Sequence, residues 1–396
     1  MKQEMISYLY TIKDDIFKLS KFLYDNPEES FCEYKSYNYI VNMLKEYSFK
    51  VTENYLDIPT SFYAEYGNGH PKICFICEYD AASKEGHITG HNLISAMSVG
   101  AALSLTKVMD KFNSGTIIIL GCPGEFMSSS KITMARQGTF KDIDTVLVVH
   151  PDVENAETGT SMALLPIKLK YSSKETSSTL LKGTYSSLDA CSFTYNSLVA
   201  LSKGFGENCY LDNISIKHCN SSLTPLNEAE LSLYIRAPKM IQACEIDKRI
   251  KEFSKAVEIL MNVNCEVSMS ELPYEELIPN NALSRIFIHN LKEIGIIDTV
   301  SPKNTFLSLS LGTVSHIVPC LHHYIKITED NTINYFTKEF FKATLSSYAE
   351  DIVLKTSTAL ACTALDLLEK EDLIKEIKVE FYESIKDHQD KPCELN

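Results

Sequence analysis

Short β-branched segments that alternate with helical segments are the feature that most constrains this fold. The β-branched segments are SFYAEYG (61–67), KICFICEYD (72–80), GTIIILGCP (115–123) and TVLVVHP (145–151). Helical patterns over 93–112 and around 129–137 separate the last three of them. Alternating strands and helices are typical of a layered α/β domain. The sequence therefore predicts a mostly parallel sheet covered by helices.

The middle of the chain has a different pattern. Strand-like segments lie at 161–173, 229–238 and 265–271, and helical ones lie at 187–203 and 246–261. This order suits a small α+β domain of the split β-α-β type. The sheet pattern resumes at 308–327 and is followed by a long helical segment at 336–368. With 396 residues, the chain also exceeds what a single hydrophobic core supports. We therefore predict an α/β domain formed by 1–165 and 280–396, interrupted by an inserted α+β domain at 166–279.

The charge and hydropathy of the chain argue against two classes of partner. The formal net charge is −14, and no cluster of Lys and Arg offsets it. Such a chain would repel a phosphate backbone, so we expect no nucleic-acid partner. The longest apolar runs, 116–120 and 146–149, are far shorter than the ~20 residues of a membrane-spanning helix. We therefore expect no membrane partner either.

The N-terminus and the cysteines bear on the cellular compartment. The first 25 residues have apolar side chains at helical spacing with charges between them, which predicts an amphipathic helix rather than a signal peptide. Twelve cysteines without a repeating framework indicate reduced thiols in a cytoplasmic protein. Cys74 and Cys77 form a CxxC pattern inside an apolar strand, where residues three apart point to opposite faces. We therefore predict that these two thiols pack in the core.

Polar side chains follow several of the predicted strands at the edge of the sheet where ligands bind in α/β proteins. His91 follows the segment that ends at Asp80, Glu125 follows the third strand, and His150 ends the fourth. His322, much later in the chain, can join the same pocket. Imidazole and carboxylate groups from adjacent strand ends are what a zinc-like cation requires. The set formed by His91, His150 and Glu125 therefore predicts a metal site.

Other polar residues in these segments have simpler interpretations. His87, His316 and His323 are interpreted as hydrogen-bonding residues, because an isolated buried histidine needs only a partner. Glu78 is interpreted as the cap of the helix that follows.

Six motifs in order resemble a known family over nearly the whole chain. They are NPEESFCEYKS (26–36), PTSFYAEYGNG (59–69), EYDAASKEGHITGHNLISAMSVGAA (78–102), GCPGEF with Lys131, VVHP (148–151) and GTVSHIVPCLHHYIKI (312–327). They look like the amidohydrolase branch of the aminoacylase and carboxypeptidase metallopeptidases. That branch contains N-acyl-amino-acid, hippurate and aminobenzoyl-glutamate hydrolases and dipeptidase-like proteins.

The resemblance implies a function and an assembly. It implies metal-dependent hydrolysis of the amide bond of a small N-acyl amino acid or peptide-like ligand, with two zinc or manganese ions in the catalytic domain. It also implies that the inserted domain acts as a lid and forms a homodimer. Carried over by motif, His91, His150 and His322 match metal ligands, Glu125 matches the general base and Asp80 matches an aspartate that orients a ligand.

The sequence departs from the family at two anionic ligands. Thr89 stands where the branch has a cysteine that bridges the metals, and Phe126 stands where a second glutamate follows the base. A threonine hydroxyl does not ionise near neutral pH, and a phenyl ring offers no donor atom. The lid segment SSKETSS (172–178) also lacks the family's histidine, and LTPLNE (223–228) stands in place of its Pro-Asn pair.

Three hypotheses follow from these departures. The first is a degenerate amidohydrolase, a pseudoenzyme with weak or no activity, that binds fewer than two metal ions or none. The second is an active enzyme with one ion held by His91, His150 and His322, with Glu125 as base. The third is a non-catalytic binding or interaction protein.

Overall fold

The computed structural model describes residues 1–82, 85–173, 185–218 and 228–386. Its helices are α1 (Lys2–Thr11), α2 (Lys13–Asp25), α3 (Tyr34–Glu46), α4 (His91–Met109), α5 (Ser130–Arg136), α6 (Ser187–Leu201), α7 (Met240–Met261), α8 (Asn281–Glu293), α9 (Leu311–Ser315), α10 (Lys338–Ala343), α11 (Ser347–Glu369) and α12 (Glu371–Lys386). Its strands are β1 (Lys50–Glu53), β2 (Phe62–Asn68), β3 (Lys72–Cys77), β4 (Gly115–Gly121), β5 (Thr145–Asp152), β6 (Ala156–Thr158), β7 (Ala163–Ser173), β8 (Tyr210–His218), β9 (Glu228–Ala237), β10 (Val263–Ser268), β11 (Val300–Lys303) and β12 (Cys320–Lys326).

The chain divides into two compact units. The first contains Met1–Thr160, Ile278–Asn304 and the segment that begins at Thr313. The second contains Ser161–Leu277 and Thr305–Gly312. The second unit therefore interrupts the first along the chain.

The first unit is built on an eight-stranded sheet with the order β1-β2-β4-β3-β5-β12-β6-β11. The central pairs β3–β4, β3–β5 and β5–β12 are parallel, and β1 and β2 are antiparallel at one edge. All residues of β4 are buried, as expected for a strand covered on both faces. The predicted mostly parallel sheet is confirmed, and its parallel strands bring the ends of β3, β5 and β12 to one edge.

Helix α4 is the central helix of the first unit. It packs against α1, α2 and α11 and against β3, β4 and β5. By length and composition it could cross a membrane, but 89% of its most apolar window is buried inside the protein. Its apolar character is explained by its position in the core.

The second unit contains an antiparallel sheet with the order β10-β7-β9-β8, on which α6 and α7 pack. Side chains of β9 alternate between buried and less buried positions, so one face of the sheet forms the core of this unit. The predicted α+β architecture is confirmed. Strand β8 was not predicted, because YLDNISIKH is polar and lies at a sheet edge where no residue is fully buried.

Two predicted long helices are interrupted. The amphipathic N-terminal helix is divided at Ile12 into α1 and α2. The segment predicted as one helix from 336 to 368 forms α10 and α11. The hydroxyl of Ser346 accepts a hydrogen bond from the N–H of Ala349, so a new helix starts at this cap.

The cysteines agree with their predicted state except at one position. Nine are free thiols, among them the buried Cys74 and Cys77, so the core-packing interpretation of the CxxC pattern is correct. Burial raises the pKa of both thiols. Cys244, however, is disulfide-bonded, so the prediction of reduced thiols is wrong there.

Candidate metal centre

The edge of the sheet in the first unit gathers the predicted site residues. Asp80 follows β3, His91 opens α4, Glu125 lies between β4 and α5, and His150 and His322 lie in β5 and β12. All five belong to the first unit. Parallel strands that end at one edge explain why residues so far apart in sequence meet.

Gly90 brings the first imidazole close to the second. Its φ of +77° is in the left-handed region, and a Cβ there would lie 2.8 Å from the Cβ of Pro151. Because a larger residue would meet both problems, a glycine allows the start of α4 to approach the end of β5. The ring centroids of His91 and His150 are 6.3 Å apart as a result.

Glu78, His91 and His150 form a group that could hold a metal ion. One ligand atom of each lies within 4.8 Å of the others, and Nε2 of His91 is 3.5 Å from Oε2 of Glu78. The hydrogen bond between Nδ1 of His150 and the carbonyl oxygen of Pro151 (2.9 Å) makes Nδ1 the protonated nitrogen, which leaves Nε2 as a donor atom. Two imidazoles and a carboxylate match the donor set of single-zinc sites, so the residues present fit one divalent ion.

The structure corrects the interpretation of Glu78. Helix α4 has Gly90 at its N-cap and no side-chain cap, so Glu78 caps nothing there. Its carboxylate is instead buried and paired with Lys131 and His91. The burial penalty would raise its pKa, but the charges of Lys131, His91 and His150 outweigh it and lower the pKa.

Asp80 orients His91 and is itself fully buried. Its Oδ1 is 2.9 Å from Nδ1 of His91, and its Oδ2 accepts hydrogen bonds from the hydroxyl of Ser30 (2.8 Å) and the N–H of Phe126 (3.0 Å). Burial alone would lower the pKa of His91, but the hydrogen bond and charge of Asp80, together with Glu78, raise it to about 9. Asp80 thus fixes the ring so that Nε2 faces the three-residue group.

Glu125 is held by a lysine and a serine. Its Oε2 accepts hydrogen bonds from Nζ of Lys131 (2.7 Å) and from the hydroxyl of Ser129 (2.7 Å). The same Nζ lies 2.5 Å from Oε1 of Glu78, and the lysine side chain is only 1% exposed. Burial would lower the pKa of Lys131, but the two carboxylates raise it above its ordinary value. A cation therefore joins the predicted general base to the group that could hold a metal.

His322 lies next to the three-residue group without belonging to it. Its ring centroid is 5.6 Å from that of His150, and its buried Nδ1 has no hydrogen-bond partner among the described residues. Burial lowers its pKa to about 3, so the ring is neutral. The hydroxyl of Tyr335 also faces this place, 3.5 Å from Nε2 of His150. The close group therefore contains Glu78, where the three-histidine hypothesis has His322.

Thr89 and Phe126 both border the group. Thr89 is 5% exposed, and its hydroxyl has no hydrogen-bond partner among the described residues. The ring of Phe126 lies 5.2 Å from that of His91 and is partly exposed. Neither side chain supplies an anion to balance a second divalent charge.

The three histidines given simpler interpretations lie outside this group. Nε2 of His87 contacts the carbonyl oxygen of Leu23 at 3.1 Å, as expected for a hydrogen-bonding residue. His323 differs, because neither ring nitrogen has a partner in the described part of the chain. Its ring packs edge-on against Phe287 instead, and burial lowers its pKa to about 3.

Two lid segments that depart from the family cannot be placed. Residues 174–178 of SSKETSS and 223–227 of LTPLNE lie outside the described residues.

Glu33 supports the loop that carries the predicted base. It is fully buried, and its carboxylate accepts hydrogen bonds from the N–H groups of Phe31 (2.8 Å) and Gly124 (3.0 Å) and from the hydroxyl of Thr60 (2.6 Å). Gly124 has a φ of +82°, and a Cβ there would lie 2.3 Å from the ring of Phe31. Burial raises the pKa of Glu33 to about 7, although the hydrogen bonds oppose this.

We predict that Glu33→Gln removes a pH-dependent loss of stability. Between pH 4.5 and about 7 the unfolded chain has released this proton and the folded protein has not, so stability falls as pH rises through this range. The variant should therefore gain roughly 3 kcal/mol relative to wild type between pH 4.5 and pH 8. Urea unfolding at both pH values measures this difference.

The exposed Glu46 provides the control for this experiment. Glu46→Gln should change the free energy of unfolding by less than ~0.5 kcal/mol at both pH values. An equal effect of Glu33→Gln at the two pH values would show that Glu33 is ionised throughout.

Glu78 and Lys131 are the site residues that sequence reasoning missed. Glu78 lies two residues before Asp80 at the end of a buried strand, and the two-residue period of a strand would have placed both on one face. For Lys131 no such signal exists, because a lysine near the start of a helix is normally exposed.

Comparison with known proteins supports the same assignment. No family model matches the chain. It is 28% identical over 382 residues to the Xaa-Arg dipeptidase of Mus musculus, a match that covers 92% of this chain and 88% of that protein. It is 26% identical over 300 residues to a p-aminobenzoyl-glutamate hydrolase of Escherichia coli K12, covering 69% of this chain and 61% of that protein.

Solved structures share the fold over nearly the whole chain. A dinuclear metal binding peptidase from the M20 family of Bacillus subtilis matches with a TM-score of 0.65 and 14% identity, covering 91% of this chain and 99% of that one. An aminobenzoyl-glutamate utilization protein from Klebsiella pneumoniae matches with a TM-score of 0.69 and 11% identity, covering 91% and 98%. Together with the ordered motifs, these relatives show that the chain belongs to the M20 family of metallopeptidases and amidohydrolases.

Proposed function

We propose that this protein is a metal-dependent amidohydrolase that uses one divalent ion, held by Glu78, His91 and His150. The observation that carries the proposal is the approach of one ligand atom from each residue to within 4.8 Å of the others. A zinc or manganese ion bound there would supply Lewis-acid chemistry, polarising a carbonyl and making water more acidic. The family points to hydrolysis of an amide or peptide bond as the reaction.

The charges of the site favour one ion over the two of its dinuclear relative. A second ion requires further anionic ligands, and the candidate positions carry the hydroxyl of Thr89 and the ring of Phe126. Glu78, which the sequence motifs did not assign to the site, supplies a carboxylate for the first ion. The donor set therefore supports a mononuclear site.

Glu125 is the residue we assign to proton transfer. Its side chain is 19% exposed, so unlike the enclosed Glu78 it can reach a water or substrate. However, its hydrogen bonds to Lys131 and Ser129 stabilise the ionised carboxylate and make it a weaker base. We therefore expect slower hydrolysis than in a two-metal enzyme.

Small peptide-like molecules are the substrates we propose. The relatives are named for a dipeptide with a C-terminal arginine and for p-aminobenzoyl-glutamate, each of which contains an amide bond next to a charged group. The net charge of −14 favours the approach of a cationic substrate. Dipeptides that end in arginine or lysine should therefore be tested first, with N-acyl amino acids as the second class.

Metal content tests this function. Protein purified without chelator and then loaded with Zn²⁺ or Mn²⁺ should hold about one ion per chain, and a chelator should remove the ion together with any hydrolysis. His91→Gln should abolish binding, whereas His289→Gln, at an exposed position on α8, should leave it unchanged. Elemental analysis after gel filtration gives the stoichiometry.

The outcome also decides between this function and a non-catalytic one. The ion pair between Glu125 and Lys131 favours a binding protein as the second candidate, because it occupies the predicted base. Wild-type protein that retains one ion but hydrolyses no dipeptide or N-acyl amino acid would support that candidate. Wild-type protein that binds no more metal than His91→Gln would rule out the proposed metal site.

A further inference from the structure

We propose that Lys131 is a built-in counter-cation that competes with a divalent ion for Glu78 and thereby sets the metal affinity of the Glu78, His91 and His150 group. The inference rests on the single-ion function proposed above. It assigns to Lys131 a role opposite to that of a residue that supports a metal ligand.

The two oxygens of Glu78 face different partners. Oε1 lies 2.5 Å from Nζ of Lys131, whereas Oε2 lies 3.5 Å from Nε2 of His91. One carboxylate thus has one oxygen on the ammonium and the other on the imidazole that would face a metal ion. A divalent ion at this group has to share the charge of Glu78 with the ammonium.

Lys131 cannot move away easily. It is the second residue of α5, its side chain is 1% exposed, and Ser129 caps the helix. The hydrogen bond to Oε2 of Glu125 (2.7 Å) holds Nζ from a second side. Leaving this position would place an unpaired ammonium in a buried environment, which is strongly unfavourable.

The charge balance gives the direction of the effect. Glu78, Glu125 and Lys131 together carry one net negative charge, so the ammonium already neutralises half of the charge of the two carboxylates. With a neutral residue at 131, the two carboxylates would balance one divalent ion. Because like charges repel strongly at short distance in a buried site, removing the ammonium should tighten metal binding.

Titration with Co²⁺ or Zn²⁺ alone tests this role, read out by calorimetry or by the visible absorption of cobalt. Lys131→Met, which keeps the length of the side chain without its charge, should bind the ion about 10- to 100-fold more tightly than wild type. Lys131→Arg keeps the charge and should stay within about 3-fold of wild type. Loss of a residue that merely supports a ligand would instead weaken binding by a similar factor.

The outcomes separate this inference from the proposed function. Unchanged or weaker binding by Lys131→Met would overturn the competition while leaving the metal site in place. If wild type, Lys131→Met and His91→Gln all bind equally poorly, the metal site itself is absent.

A second variant keeps the test valid if Lys131→Met does not fold. Glu125→Gln leaves Glu78 as the only carboxylate among the described residues that pairs with the ammonium, so it should weaken metal binding by about 10-fold. Glu125 lies outside the three-residue group, so this effect would act through Lys131. Unchanged affinity in Glu125→Gln would count against the competition.

Discussion

The double substitution Thr89→Cys and Phe126→Glu is expected to give a protein that holds about two divalent ions per chain and hydrolyses amides at least ~10²-fold faster than wild type. Both positions border the three-residue group and lack an anion. A thiolate at 89 and a carboxylate at 126 would supply the negative charge that a second divalent ion requires. Elemental analysis and a dipeptide assay measure the two effects.

The structure has room for both new side chains. The Thr89 hydroxyl is buried without a hydrogen-bond partner among the described residues, so its replacement by cysteine breaks no hydrogen bond there. Phe126 is 39% exposed, and its ring lies 5.2 Å from that of His91, so a glutamate can turn toward the imidazole or toward water. The N–H of residue 126 that binds Asp80 belongs to the backbone and is kept.

Neutral versions of the same substitutions are the control. Thr89→Ser with Phe126→Gln gives similar side chains without new anions and should not gain a second ion. Each single change should gain less than the double change, because one anion only partly balances a divalent charge. If the folded double variant binds no more metal than the neutral control, the matching of these two positions to the family's ligands is wrong.

Much of the fold could be predicted from local patterns. The strands that became β3, β4 and β5 are apolar, β-branched runs with clear ends, so their existence and parallel order followed from the sequence. Strand β8 could not be predicted in this way, because a polar edge strand is stabilised by its hydrogen bonds to β9 and its side chains carry little pattern. The breaks at Ile12 and before Ser346 depend on single residues within otherwise periodic segments.

The site was harder to predict than the fold. Strand ends and motifs indicated His91, His150 and Glu125 as neighbours, and the structure places them around one edge of the sheet. The pairing of Lys131 with Glu78 and Glu125 arises only when the first turn of α5 folds over the ends of β3 and β4. No sequence period reports such a contact, so the charge that governs metal affinity is visible only in three dimensions.

Asp80→Ala is expected to lower the free energy of unfolding by about 3–5 kcal/mol, the cost of removing one partner from a buried charged pair. Asp80 is fully buried and accepts hydrogen bonds from the ring of His91, the hydroxyl of Ser30 and the N–H of Phe126. Alanine leaves all three donors without this acceptor. Urea unfolding at pH 7, with the slope compared to that of wild type, measures the loss.

Asp80→Asn and Asp14→Ala bracket this effect. Asparagine keeps the shape and one acceptor oxygen but loses the charge, so a loss of ~1–3 kcal/mol is expected. Asp14 is exposed on α2, and its replacement should cost less than ~0.5 kcal/mol. A loss below ~1 kcal/mol for Asp80→Ala would mean that His91 and Phe126 find other partners or that the carboxylate is not paired.

The size of this loss bears on why the site persists in a chain that lacks two anionic ligands. Asp80 joins three segments, because its partners lie before α3, at the start of α4 and before α5. If its removal costs several kcal/mol, then Asp80 and His91 are retained for stability whether or not a metal ion binds, since the total stability of a domain is only ~5–15 kcal/mol. Their presence alone would then be no evidence for catalysis. The metal content of the wild-type protein, and its change in Lys131→Met, would carry that evidence instead.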